Sequence, residues 1–267
     1  MPPKIIQPTS PSQLKVTYIG GPTAVFEWDG LRLLTDPGFD PPGGEYKTGP
    51  VVLTKTAGPA LRPESLGRID AVLLSHDHHY DNLDHSGRKF VEGARQVLTT
   101  PAGAERLGGH AIGLANWQSI DLPVGDRVLR VTGTPARHGP AHRDRGPVTG
   151  FALAFTDALD RAVYVSGDTV WYEGVAEVAR RVAVRTAVLF MGAARVPAVG
   201  PEALTMTAED GIQAARAFSD ATIIPLHYEG WAHFTESREV IARAFNEAGI
   251  APRVRWMELG ATSALPL

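Results

Sequence analysis

Apolar residues along this chain fall in short runs, many alternating with polar ones, and most runs are closed by Gly, Pro, Asn or Asp. Such runs, bounded by turn formers, predict β-strands. Leu14–Ile19, Ala24–Trp28 and Leu31–Thr35 are the first three, and Asp29-Gly30 between the last two suits a two-residue hairpin turn. The Pro/Gly-rich stretch from Gly38 to Pro63 is longer than a plain connection and reads as a binding loop. Ile69–Leu74 is almost uniformly apolar, the pattern of a buried strand.

The second half repeats the logic. Arg127–Thr132 predicts a strand, and Thr149–Phe155 with Arg161–Ser166 predicts a hairpin pair. Helices are expected over Glu173–Ala183, over Ala208–Phe218 behind Thr207 as N-cap, and from about Glu236 to Ala248 behind Thr235, with Gly249 as the stop. Ala187–Phe190, Thr222–Ile224 and Val254–Met257 are apolar strands between and after them. Strand clusters alternating with helices in both halves predict an α/β (α+β) architecture of two mixed sheets packed face to face with helices outside, one domain over residues 1–267. The endings Thr35-Asp36 and Gly167-Asp168 echo each other, which suggests a duplicated sheet unit.

Composition narrows the partners. A net charge of −3 with no polybasic stretch gives no footprint for nucleic acid or anionic membrane. Small molecules are the expected partners, with a homo-oligomer left open. The chain has no cysteine, which excludes disulfides, thiolate zinc sites, iron–sulfur clusters and thiol nucleophiles together. Any metal must therefore be held by His and carboxylate. The opening Met1–Pro8 has no long apolar stretch, and no run is long enough to span a bilayer, so a cytoplasmic protein is expected.

The chemistry concentrates where the buried strand ends. Ser75-His76-Asp77-His78-His79-Tyr80-Asp81-Asn82-Leu83-Asp84-His85 crowds imidazoles and carboxylates whose repulsion and desolvation a shared cation relieves most simply. Three more segments carry a potential ligand just past a strand: Pro135-Ala136-Arg137-His138, Ser166-Gly167-Asp168-Thr169 and Pro225-Leu226-His227. An isolated histidine is ordinarily a satisfied surface or core residue. Four ligand-bearing strand ends are different, because strands sharing one sheet edge bring their loops to one point.

With these segments together, the sequence resembles the metallo-β-lactamase-fold hydrolase superfamily over most of its length. Leu33–Pro37, Ser75-His76-Asp77, the His138 and Asp168 segments and Pro225-Leu226-His227 look most like the branch holding ascorbate-6-phosphate lactonase and N-acylphosphatidylethanolamine phospholipase D. The resemblance implies a four-layer αβ/βα sandwich with a metal site at one edge. It also exposes a departure, since no register of the run satisfies the family's His-x-His-x-Asp-His. Aligning His79-Tyr80-Asp81 with His-x-Asp puts Asn82 where the last histidine belongs, whereas a register on His76 and His78 puts Tyr80 at the Asp position.

In the first register the resemblance implies one metal site of His79, His138 and either His76 or His78. A second would hold Asp81 and His227, with Asp168 bridging. Zinc suits this set, as one or two ions, with manganese or iron(II) as alternatives. Asn82 is a poor zinc ligand, so the second site is expected to be weak, empty or filled by His85 reaching back. Asp84 and His85 otherwise read as a solvated first helical turn. Asp36 reads as fixing a loop or a ligand histidine.

The implied reaction is hydrolysis of a small ester, lactone or phosphoester by a metal-activated water, with Asp81 and His233 as catalytic residues. His142, Arg143 and Trp231 are the substrate-binding candidates, with Arg145 beside them. Non-haem iron redox chemistry on the same fold and a non-catalytic metal-binding member are the competing readings. A β-lactam is disfavoured, because the cysteine ligand of many such lactamases is absent.

Overall fold

The structure, a computed structural model, describes residues 13–267; the opening segment read for export signals lies outside the described residues. In the first half β1 (Gln13–Gly20), β2 (Thr23–Trp28) and β3 (Leu31–Thr35) form an antiparallel meander. A separate hairpin follows, β4 (Glu45–Thr48) with β5 (Val51–Thr54), and then three short strands, β6 (Ala71–Leu73), β7 (Val97–Thr99) and β8 (Ala111–Gly113), extend the first sheet in parallel. The second half supplies β9 (Ser119–Val124), β10 (Arg127–Pro135), β11 (Thr149–Phe155), β12 (Ala162–Val165), β13 (Val184–Phe190) and β14 (Thr222–Leu226). Finally β15 (Thr262–Pro266) returns to pair with β1. The sheets run β15-β1-β2-β3-β6-β7-β8 and β14-β13-β12-β11-β10-β9.

Alternation along each strand decides which layer it feeds. On β6 and just past it, Ala71 and Leu73 point into the core between the sheets, with Phe26, Phe151 and Phe190, while Val72 and Leu74 pack with Val91 on the outer side. The same split recurs on β13, where Val188 and Phe190 face inward and Ala187 and Leu189 face the outer cluster. Burial on both faces is why these strands read as continuous apolar runs. Helices α1 (His85–Glu92) and α2 (Pro101–Leu107) belong to the first half, and α3 (Glu173–Arg181), α4 (Ala208–Ala217) and α5 (Arg238–Glu247) to the second. Val175, Val178, Ile212, Ile241 and Phe245 pin the second set onto its sheet, which completes the four layers.

Several local expectations are corrected. Thr207 caps α4 in a reciprocal box with Asp210, as read, but Thr235 does not cap α5: its hydroxyl donates to the Ala193 carbonyl and the helix starts behind Ser237. Val254–Met257 is no strand, because only Val254 bridges, to Ile223. The Gly38–Pro63 stretch is not plain loop but contains the β4–β5 hairpin. Asp84 is not solvated. It is wholly buried, caps α1 through Gly87 N, and takes an ion pair from Lys55 at 2.6 Å. Among the described residues no helix is long and apolar enough to cross a membrane.

Candidate metal centre

The four ligand-bearing segments all leave the C-terminal ends of strands: His76–Asp81 after β6, His138 after β10, Asp168 after β12 and His227 after β14. In the second sheet β12 and β14 both run parallel to β13, and β10, with antiparallel β11 between it and β12, runs the same way, so their loops leave one edge, where the loop after β6 meets them. The structure brings six of the named side chains into two adjoining groups, His76, His79 and His138 in one, and Asp81, Asp168 and His227 in the other. His227 adopts φ 57°, a left-handed backbone uncommon outside glycine, held by a bond from its N–H to the Gly21 carbonyl at 2.9 Å.

Neighbouring groups fix which ring nitrogen points inward. His138 Nδ1 lies 2.9 Å from the Leu204 carbonyl, which only accepts, so Nδ1 carries the proton and Nε2 offers its lone pair. Ser75 Oγ donates to Asp36 Oδ1 at 2.6 Å and therefore accepts from His76 Nδ1 at 2.9 Å, leaving His76 Nε2 bare. These two nitrogens stand 2.9 Å and 3.1 Å from His79 Nδ1. A single proton on His79 can satisfy one of them, not both. Asp168 Oδ2, 3.6 Å from His138 Nε2, closes the group.

In the second group His227 Nε2 lies 3.3 Å from Asp168 Oδ1 and 3.8 Å from Asp81 Oδ2. Both His227 nitrogens and Asp168 Oδ2 are buried without a hydrogen-bond partner. A zinc ion at 2.0–2.1 Å from tetrahedral donors sets those donors about 3.3–3.4 Å apart. The separations in both groups scatter around that edge length, and the orphaned buried atoms are the ones a cation would engage. The residues present therefore fit metal ligation, with Asp168 Oδ1 in the second group and Oδ2 beside the first.

Electrostatics agree with this arrangement. Burial pushes the His76 imidazole down to about 3. Burial, with His76 and His138 beside it, holds His79 well below the usual imidazole range, so both rings stay neutral, the form that ligates. Burial alone would raise Asp168, but His227 and His138 outweigh it and hold the carboxyl well below its ordinary range. Asp81 is held down likewise, where burial is outweighed by a hydrogen bond and charge from His233, and by His227 and His79. Asp36 behaves oppositely: burial pushes it up to about 8 despite its bonds from Ser75.

The remaining candidates separate. His78 is turned outward, its Nε2 3.0 Å from the Arg145 carbonyl, and stands outside both groups. Asn82 donates to Asp168 Oδ1 at 3.2 Å. His85 stacks on Tyr46 and does not reach back. His142 and Arg143 meet Glu202 on the exposed surface and do not line the cavity over the metal groups. Trp231 is buried against Tyr46 and beneath the Lys55 ammonium. His233 approaches Asp81 Oδ2 at 3.0 Å.

Over the two groups opens a cavity of about 480 Å³, its mouth included, lined by His79, His138, Asp81 and His233 at its floor. Its walls are Val51 and Leu53 of the β4–β5 hairpin, Ala194, Val196, Val199 and Leu204, with Arg145, Thr48 and Tyr80 as further lining. No local signal in the sequence marks these wall residues, since the 194–204 loop and the hairpin meet only in the fold.

Likeness to known proteins agrees with this architecture. The family described as Beta-lactamase superfamily domain matches residues 31–228, well over half of the chain. The chain belongs to this superfamily, and its architecture is the metallo-β-lactamase fold. UPF0173 protein YddR of Bacillus subtilis strain 168 is 25% identical over 251 residues, covering 90% of this chain and 96% of that one. A UPF0173 metal-dependent hydrolase of Bacillus cereus strain G9842 is 26% identical over 225 residues, 80% of this chain and 86% of the relative. Among solved structures, isothiocyanate hydrolase from Delia radicum gut bacteria superposes with a TM-score of 0.80 at 23% identity, covering 95% of this chain and 100% of that one. At that identity the likeness speaks to the fold.

Proposed function

We propose that this chain is a metal-dependent hydrolase acting on a small, largely apolar substrate with an electrophilic carbon, such as an ester or lactone. The observation that carries the reading is the pair of donor groups sharing Asp168 at the floor of an apolar-walled cavity. The Bacillus cereus relative's name supports the class. When bound, the ions supply a water acidified toward a pKa of about 7 and polarise the scissile bond. The chain's own residues do the rest. Leu204 and Ser75 hold the tautomers of His138 and His76, and Asp168 spans the two groups. Asp81, kept ionised, is placed to orient the attacking water by accepting a hydrogen bond at Oδ1, the oxygen that His233 does not engage.

The walls argue for carbon rather than phosphorus. A phosphoester is ordinarily gripped by several cationic or N–H donors. Among the cavity's lining residues the only Lys or Arg is Arg145, and six aliphatic side chains face it. A phosphorylated sugar lactone would meet few polar partners there. The structural neighbour's named substrate class, the isothiocyanates, presents a compact electrophilic carbon on an organic group and suits such walls.

The test is to purify the chain without added metal, measure bound metal by plasma mass spectrometry, and assay aryl esters of increasing acyl length, lactones, an aryl isothiocyanate and a phosphodiester. Turnover of carbon electrophiles that a chelator abolishes and zinc or manganese restores is expected. Chelator-insensitive turnover, or phosphodiesters as the best substrates, would overturn the reading. Tightly held iron with substrate-dependent O₂ consumption would move it to redox chemistry.

A further inference from the structure

Arg137, Arg143 and Arg145 flank His138 along the chain, and the fold treats them differently. Arg137 donates through Nε to the Gly139 carbonyl at 3.2 Å and lies over the Tyr172 ring. Arg143 donates to the Val199 carbonyl at 2.8 Å and pairs with Glu202 at 3.2 Å. The Arg145 guanidinium has no hydrogen bond, ion pair or ring contact among the described residues, although the residue is half-buried and lines the cavity over the metal groups. Its backbone, by contrast, is pinned. The Arg145 N–H donates to the His138 carbonyl at 2.9 Å, and its carbonyl accepts from His78 Nε2 at 3.0 Å. Gly146 N donates to Asp144 Oδ1 at 3.1 Å just beyond it, and a Cβ at Gly146 would stand 3.0 Å from His78 Nε2, so glycine there lets the ring in.

A fixed backbone thus carries an unpaired cation to a cavity whose walls are otherwise mostly aliphatic. A guanidinium offers two parallel N–H donors that match one carboxylate. No other Lys or Arg lines the cavity, which leaves a phosphate short of partners. We propose that Arg145 binds a carboxylate carried by the substrate, so that the substrate is an ester or lactone with an apolar body and one anionic end besides the bond cleaved. This rests on the hydrolase reading for the bond, while the recognition of the carboxylate does not depend on turnover. It also gives a place to His78, the histidine outside both metal groups, whose ring holds the carbonyl of the residue that meets the carboxylate.

The probes are the monoanilide of adipic acid and hexanoic anilide, which have the same chain length and differ by a terminal carboxylate. Their binding to the zinc-loaded chain is followed by calorimetry for the wild type, Arg145→Gln and Arg145→Lys, with bound metal checked by mass spectrometry. The wild type should bind the acid about ten-fold or more tightly than the neutral anilide, the strength of a hydrogen-bonded charge pair. Arg145→Gln should lose that ratio with bound metal unchanged, and Arg145→Lys should keep part of it. Where aryl esters are turned over, the adipate half-ester against the hexanoate should show the same ratio, carried by KM. A wild type that does not bind the acid, or does not prefer it, overturns the proposal. So does a preference that survives in Arg145→Gln, which would put the carboxylate on the metal. The calorimetric ratio needs no turnover, so the hydrolase reading fails or stands on its own assay.

Discussion

Asp84 and Lys55 form the most heavily buried pair between a carboxylate and a Lys or Arg among the described residues, and their asymmetry yields a prediction with a sign. Asp84 Oδ1 accepts from Phe39 N at 3.0 Å and Gly87 N at 2.8 Å, and Oδ2 from Asp40 N at 2.7 Å and Lys55 Nζ at 2.6 Å. The side chains are 0% and 5% exposed. Asp84→Ala removes the α1 cap, worth about 1 kcal/mol, and strands a buried ammonium, at about 3–5 kcal/mol. The expected loss is about 4–6 kcal/mol, a large share of the ~5–15 kcal/mol of an ordinary domain. Lys55→Met removes one charge-assisted bond, about 1.5–3 kcal/mol, and leaves the carboxylate held by three N–H groups. In the Asp84→Ala background the sign reverses, and Lys55→Met should be neutral or stabilising because it removes the stranded charge. Urea unfolding of the four chains in chelator, followed by tryptophan fluorescence, measures all the differences. Equal single costs, or a Lys55→Met cost that persists without Asp84, would refute the reasoning. The site depends on this pair, because Asp84 binds the Phe39 and Asp40 amides while Asp40 receives the Tyr46 hydroxyl at 2.9 Å, which ties the β4–β5 wall of the cavity to α1.

Further outcomes follow from single positions. A Cβ at Gly87 would sit 1.8 Å from the Pro37 carbonyl oxygen, a backbone atom that cannot swing aside, so Gly87→Ala should cost about 3 kcal/mol, the upper part of the overpacking range, by thermal unfolding. Asp36 is pushed by burial from 3.8 to about 8. A carboxyl raised in the folded state binds more protons folded than unfolded, so the metal-free chain loses stability as pH climbs through that window. Asp36→Asn cannot ionise, and its advantage in urea midpoint should grow between about pH 5 and pH 8; a constant or shrinking gap would contradict this. Ala194→Leu should fill part of the cavity and lower kcat/KM for the longest acyl esters about ten-fold or more, with bound metal unchanged by mass spectrometry.

What was legible in the sequence was local or repeated. Strands buried on both faces announced themselves as apolar runs, and the candidate ligands stood immediately past them, so His76, His79, Asp81, His138, Asp168 and His227 could all be named as candidates before the fold grouped them. Thr207 with Asp210 was legible for the same reason, since a capping box spans four residues. The Thr100-Pro101 start of α2 carries an equally plain N-cap and N1 signal, but a helix of seven residues is too short for its apolar period to show. The β4–β5 hairpin was masked by the Pro and Gly that flank it.

The rest was set by distance along the chain. Nothing near Thr262–Pro266 predicts that it will pair with β1, and nothing near Asp84 shows that Lys55 neutralises it, so a carboxylate at a helix start was read as solvated when it is a buried anchor. His78 and His79 pose the same problem inside one motif. Adjacent and identical in composition, they are told apart only because Gly146 and the Arg145 carbonyl take up one ring while His138 meets the other. Asn82 and His233, 151 positions apart in sequence, extend the point, because one bonds Asp168 and the other Asp81 only in the fold. The chemistry of a site assembled from strand ends is therefore better judged by which lone pairs converge than by how closely one segment keeps to a pattern.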